Sequence, residues 1–229
     1  MRSKQYFTSI KNNPHEISTD PREVYPYLNK HSIKKKGNKK PEGQTSTDME
    51  KEQVWLPLQT VYNKELTVAA YLKEQGIEHY IPMTYELRDT GREGECSHVL
   101  IPAIHNLIFI HCPYDANWCR QFASEAPLPV YFLKKERNGN DYCTVSERDM
   151  QNFMHATSPD IQGTRFIDSE KLRGKRSVPV RVVRRGPLYG VTGKFLRYGG
   201  RHYIAIEMPQ STALLKVSYT WCETIEDIE

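Results

Sequence analysis

The sequence predicts an α+β domain, an antiparallel sheet with helices packed on it, followed by a small all-β barrel. Three observations carry this. From residue 54 to 157 the apolar pattern switches between period two and period 3.6 in the order β, α, β, β or ββ, α, β, α. Beyond residue 177 four or five short apolar runs follow one another, with turn residues between them. Charge divides the chain as well: residues 1–48 carry ten Lys/Arg against five Asp/Glu, 49–168 eleven against seventeen, and 169–229 eleven against six. A basic leader, an acidic middle and a basic end place any polyanion contact in the terminal segments, although the whole 229-residue chain is only +4.

The leader, 1–48, includes HSIKKKGNKKPEGQTSTD, which has no periodicity and is expected to be disordered. It is a solvated tail or a basic arm that touches nucleic acid. Met49 stands directly before the first structured run and is expected to be the translation start. Peptides from before Met49 in the native protein would exclude that.

Order begins with VWLPLQTV, 54–61, where Pro57 implies an edge strand or a bulge. NKELTVAAYLKEQG follows as a helix. Asn63 is its expected cap, Leu66, Ala69, Ala70 and Lys73 its stripe with Val68 and Leu72 beside it, and Gly76 its left-handed terminator. Residues 77–87 form a strand, 88–95 a polar hairpin tip, and HVLIPAIHNLIFIHC one broken strand or two. DANWCRQFASEA is a helix capped by Asp115. VYFLKKERNGNDYCTV is a hairpin turning at Asn138 and Gly139, and the next helix is capped by Ser146. Residues 158–177, with a proline, two glycines and a basic end, make the linker between a domain at 49–157 and one at 178–229.

RRGPLYGVTGKF, 184–195, resembles a phosphate cradle but fails on spacing. Gly186 and Gly193 have six residues between them where a Walker loop needs four, and Phe195 stands where its Ser or Thr would be. The glycines are better explained as backbone devices. Gly186 opens a turn with Pro187 pre-set in it, and Gly190 and Gly193 admit a bulge or a close strand approach. In SVPVRVVRR, Val178, Val180 and Val182 share one face; GKFLRY, RHYIAIEM and TALLKVSYTW supply the further strands.

The five cysteines, Cys96, Cys112, Cys119, Cys143 and Cys222, are odd in number and include no CxxC pair. That argues against a disulfide framework and a zinc site, and it suggests a reducing cytoplasm. The most apolar stretch, VLIPAIHNLIFIHC, is interrupted by Pro102, His105 and Asn106 and falls short of the roughly 18 residues of a membrane span. No cofactor, no membrane partner and no catalytic constellation is expected.

VWLPLQTVYNKELTVAAYLKEQGIEHYIPM, LIPAIHNLIFIHC and VPVRVVRRGPLYGVTGKF together resemble the NusG/RfaH family of transcription elongation and antitermination factors. In that family an NGN domain is followed by a KOW domain, an SH3-like barrel. The likeness covers about residues 53 to 225. It is greatest to the specialised UpxY-type paralogues that antiterminate capsular polysaccharide operons. The family's central strand is departed from at Ile104 and Leu107, where aromatic residues are usual.

The resemblance implies a non-enzymatic factor whose NGN domain docks on the clamp helices of the largest RNA polymerase subunit and suppresses pausing or termination on long operons. It implies Ile104, Leu107, Phe109 and Phe132 as the apolar docking patch, the alternative being that they are ordinary core. A non-template DNA strand would meet Trp118, Arg120 and Gln121 on the second helix and Arg88 and Arg92 in the hairpin, with Trp118 either stacking a base or buried. The KOW domain would recruit a ribosomal protein or Rho. Its Arg181, Arg184, Arg185, Lys194, Arg197 and Arg201 form a basic face that could instead touch nascent RNA. The second reading is a KOW-type RNA-binding or ribosome-associated module without polymerase contact.

Overall fold

In the computed structural model the described residues are 53–89, 96–136, 138–161 and 163–226. The leader, Met49, and the hairpin tip at 90–95 with Arg92 lie outside them. The described chain is a mixed α/β structure with antiparallel sheets and few helices. Its first sheet has the order β2-β5-β1-β6, from β1 (Gln53–Gln59), β2 (His79–Tyr80), β5 (Leu107–Pro113) and β6 (Tyr131–Phe132). Three helices accompany it: α1 (Glu65–Glu74), α2 (Ala116–Glu125) and α3 (Glu147–Ala156). A separate two-stranded ribbon pairs β3 (Met83–Asp89) with β4 (Cys96–Pro102).

Local chemistry explains most boundaries. Asp115 caps α2 by accepting from the backbone N–H groups of Asn117 and Trp118, and Ser146 caps α3 by accepting from Asp149. Gly76, at φ 69°, ends α1. Asn63 does not cap that helix. It sits at φ 54°, its N–H donates to Asn106 Oδ1 at 2.9 Å, and Lys64 occupies the cap position with no side-chain bond. The buried stripe of α1 is Glu65, Val68 and Leu72, one position round from the expected one, because Glu65 is drawn inward to accept from the Asn106 backbone N–H.

Pro57 lies in a central strand, against expectation. Its carbonyl accepts from Leu133 N–H at 3.1 Å, and the donor it cannot supply in return is replaced by Cys143 N–H, which bonds Leu133 O at 2.8 Å. The expected strand at 77–87 is broken at Ile81–Pro82 into β2 and β3, which join different sheets. The expected 130–145 hairpin is reduced to one isolated bridge, Lys134 with Tyr142, and Gly139 turns without a positive φ.

The second sheet has six antiparallel strands in the order β12-β8-β9-β10-β11-β7: β7 (Arg165–Asp168), β8 (Ser177–Val182), β9 (Thr192–Tyr198), β10 (Arg201–Met208), β11 (Ser211–Leu215) and β12 (Cys222–Thr224). Residues 165–172, expected as linker, are structured. β7 pairs with β11, and the 3-10 turn Ser169–Leu172 inserts Leu172 against Leu196, Tyr203, Ala205 and Leu214. The last apolar run is not one strand either. β11 ends at Leu215, a 3-10 turn covers Tyr219–Trp221, and β12 returns to pair with β8. Val180 and Val182 are buried as their shared face requires, whereas Val178 is exposed near the strand's start.

Candidate functional site

Trp55 organises the face of the first sheet toward α3. The ring is buried and stacks on His111 at 5.0 Å, while its Nε1–H donates to Glu147 Oε2 at 2.6 Å. Burial pushes the Glu147 carboxyl up, but hydrogen bonds from Gln151 and Trp55 outweigh it and leave the group below its usual value. Further along β5, Phe109 is 0 % exposed and meets Phe153 of α3 edge to face at 5.5 Å. Tyr80 closes the group: its ring lies 6.1 Å from Phe153, and its hydroxyl bonds Thr157 Oγ1 at 2.7 Å.

The four residues expected to form one docking patch do not share a face. Leu107 and Phe109 point toward α3 by strand alternation, paired with Gln59 and Pro57 of β1. Phe132 pairs with Leu58, whose other partner is Ile108, so it projects from the opposite face and packs on Trp118 at 6.3 Å and Phe122 at 6.0 Å. Leu107, Phe109 and Phe132 are all core. Ile104 alone remains partly exposed, in the 103–106 turn between β4 and β5. That turn is fixed by Asn106, at φ 60°, whose carbonyl accepts from Thr60 N–H at 3.1 Å. Buried Glu65 is thus a positioning residue that sequence reasoning missed; an acid in the first turn of a helix was its only signal.

Exposed apolar surface lies elsewhere on this part of the chain. Tyr85 and Leu87 stand on β3 at 43 % and 64 % exposure, and Leu100, opposite Tyr85, shares their face. Tyr62, at φ 55°, is 86 % exposed in the turn before α1.

Of the nucleic-acid candidates, Trp118 is half-buried and stacked on Phe122 at 5.3 Å, so its packing role is met. Its cleft is lined by Glu78 and Glu125 and by no lysine or arginine, an environment that repels phosphate. Arg120 is turned along its own helix to Asn117 Oδ1 at 2.7 Å, Gln121 bonds Glu125, and Arg88 bonds Glu86. Arg88, Arg120 and Gln121 each bond a neighbour on their own element.

On the second sheet the glycine loop is held as its sequence suggests. Tyr189 N–H bonds Gly186 O at 3.1 Å with Pro187 inside the turn, and Gly190, at φ 84°, donates to Val182 O at 2.9 Å. Gly193 permits a close strand approach: a Cβ there would lie 2.6 Å from Ile204 Cγ2 and 2.7 Å from Ala205 O. The loop and β9 also touch α3, through His155 Nε2 to Pro187 O at 2.7 Å and Asn152 to Thr192. The basic residues are divided in use. Lys194 pairs with Glu207 at 2.7 Å and Arg181 with Glu223 at 3.8 Å, Arg184 lies over the Trp221 ring at 4.1 Å, and Arg185, Arg197 and Arg201 are exposed.

Two of the five thiols are held inside the fold. Burial pushes the Cys112 thiol up to about 12 and that of Cys119 to about 11, so both stay protonated at neutral pH. Among the described residues no group of three or more His, Cys, Asp or Glu is placed to hold a metal ion, and no helix is long and apolar enough to cross a membrane.

Residues 53–154 match the family model described as transcription termination factor NusG. This stretch runs from β1 into α3 and contains the first sheet and the β3–β4 ribbon. No curated protein matches the chain. Among solved structures, one described as domain interaction in Thermotoga maritima NusG is 15 % identical, with 76 % of this chain and 98 % of that chain covered and a TM-score of 0.36.

Proposed function

We propose that the chain is a transcription elongation and antitermination factor that binds RNA polymerase through its NusG family domain. The observation that carries this is the family match over 53–154, which embraces the first sheet with its helices. In this reading the NGN domain occupies 49–157 and docks on the clamp helices of the largest subunit. The second sheet is a KOW barrel built on 178–229, onto which β7 and the following 3-10 turn are folded. Its partner is a ribosomal protein or Rho. The factor is a specialised paralogue acting on long operons, such as those for surface polysaccharides.

Burial redefines the docking surface. Leu107 and Phe109 support the sheet from within, and the groups free to meet a helix tip are Ile104 in its turn and Tyr85 and Leu87 on the ribbon. Apolar docking of this kind tolerates salt, whereas phosphate contacts do not. The test is the affinity of the full chain for a clamp-helix fragment of the host polymerase at low and high salt, for wild type, Ile104→Glu and Leu87→Glu. Salt-tolerant binding weakened by these changes supports the reading. No binding at either salt removes it.

A further inference from the structure

The β3–β4 ribbon has an edge that the rest of the described fold leaves open. β3 pairs with β4 in an unbroken register, from Met83 with Pro102 to Asp89 with Cys96, and among the described residues β4 is its only strand neighbour. Every side chain of β3 after Met83 is exposed, on both faces of the strand. Strand edges are ordinarily blunted by a proline, a lysine, a bulge or a covering element. β3 contains neither proline nor lysine, and its continuous register includes no bulge.

The residues along this edge are complementary to themselves. Two antiparallel copies of β3 related by a two-fold axis must set one residue opposite its own copy, because opposed side chains share a face. With Leu87 at the axis, the two Leu87 side chains meet. Glu86 of each copy then stands opposite Arg88 of the other, so two ion pairs flank the apolar one. Moving the axis by one residue either way destroys the match, since Glu86 then faces Glu86 or Arg88 faces Arg88. An axis at Tyr85 would require Met83, only 5 % exposed, to meet Leu87.

The single chain is already poised for the exchange. Arg88 Nε donates to Glu86 Oε2 at 3.0 Å along the strand, and both side chains remain about half exposed. A solvated pair of this kind contributes little, so giving it up for the cross-strand pair costs little. Leu87, 64 % exposed in the single chain, would be covered by its copy.

We propose that the chain self-associates through β3, two ribbons joining edge to edge into a four-stranded antiparallel sheet with Leu87 on the two-fold axis. The inference does not rest on the polymerase reading, and its test contains no polymerase, so either can fail alone.

Sedimentation velocity of the full-length protein, over concentrations up to its solubility limit, reads the association. Wild type is expected to pass from monomer to dimer as concentration rises. Glu86→Arg and Arg88→Glu are each expected to weaken the dimer about tenfold or more, because both ion pairs become like-charge contacts. An equimolar mixture of the two variants should regain it, since opposite charges again face one another, and so should both reversals placed in one chain. Loss of fold cannot produce that rescue. The proposal is overturned if wild type stays monomeric at every concentration, or if the mixture of variants does. It is equally overturned if the single reversals dimerise like wild type, which would assign the contact to another surface.

Discussion

The Asn152 side chain is bonded twice to the backbone of Thr192: its Nδ2 donates to the Thr192 carbonyl at 2.9 Å and its Oδ1 accepts the Thr192 N–H at 2.9 Å. A side-chain amide here completes the first residue of β9 as a neighbouring strand would. The contact ties α3 to the second sheet. Asn152→Ala leaves a part-buried donor and acceptor without partners and is expected to cost about 1–3 kcal/mol. Asn152→Asp should cost at least as much, because a carboxylate then faces the Thr192 carbonyl. Urea unfolding measures the loss, and faster hydrogen exchange at the Thr192 amide localises it; an unchanged amide would mean that the pair does not persist in solution.

Gly193 and Gly190 make separable predictions, since one is a glycine for space and the other for backbone angle. Ala at Gly193 drives a methyl into the β10 backbone at Ala205 O, so β9 and β10 must part, at about 1–3 kcal/mol. Ala at Gly190 meets open space but must hold φ 84°, which costs about 1–2 kcal/mol and no packing. Thermal melts give both losses. Only Gly193→Ala should also perturb the amide shifts of β10.

Elements whose start and face are set locally were legible in the sequence, and those set by distant partners were not. Ser146 and the apolar positions Met150, Phe153 and Met154 suffice to define α3. In α1 the stripe was misplaced because Glu65, a charge, is buried against a turn more than a full strand away in sequence. β7 was missed because four residues following a Pro- and Gly-bearing stretch carry no period of their own, and they become a strand only by pairing with β11. The burial of the candidate patch was hidden in the same way. Alternation places Leu107 and Phe109 on one face, but nothing local reveals that Phe153 packs on Phe109 or that Phe132 lies on the other side of the sheet.

Acid should destabilise the fold in two steps. Burial lowers the His79 pKa below 6.5, a Lys73 charge lowers it further, and the hydrogen bond to the Ile77 carbonyl opposes both. The unfolded chain therefore takes up this proton first, so stability is complete above 6.5 and erodes as pH falls through the folded value. Glu147 is held below 4.5 in the fold, so its contribution is present above that value and is lost as pH falls through the folded one. Melting temperatures measured from neutral pH downward should show both losses. His79→Gln should remove the upper step and Glu147→Gln the lower.

Thiol labelling provides a test of packing around α2. Cys96 is exposed and should react with a disulfide reagent at neutral pH within the dead time of folding-independent chemistry, whereas buried Cys112 and Cys119, with thiol pKa values pushed up to about 12 and about 11, should react only through opening of the fold. Mass spectrometry of the labelled protein assigns each site. Rapid modification of Cys119 without denaturant would show that α2 is detached from the sheet.

Phe109 and Phe153 decide whether the central strand acts as core or as surface. Each is fully buried, and their rings meet edge to face at 5.5 Å. Phe153→Ala and Phe109→Ala are each expected to cost about 3–5 kcal/mol. The double variant should lose less than the sum of the two by about 0.5–1.5 kcal/mol, the worth of an aromatic pair beyond its buried area. Chemical denaturation of the four proteins in the cycle supplies these numbers. Because Phe109 is core, any loss of the proposed clamp-helix affinity in Phe109→Ala should follow the folded fraction and return when the protein is stabilised by lower temperature. A loss of affinity in a fully folded Phe109→Ala protein, with little loss of stability, would instead require α3 to lift from β5 and expose the ring to the partner.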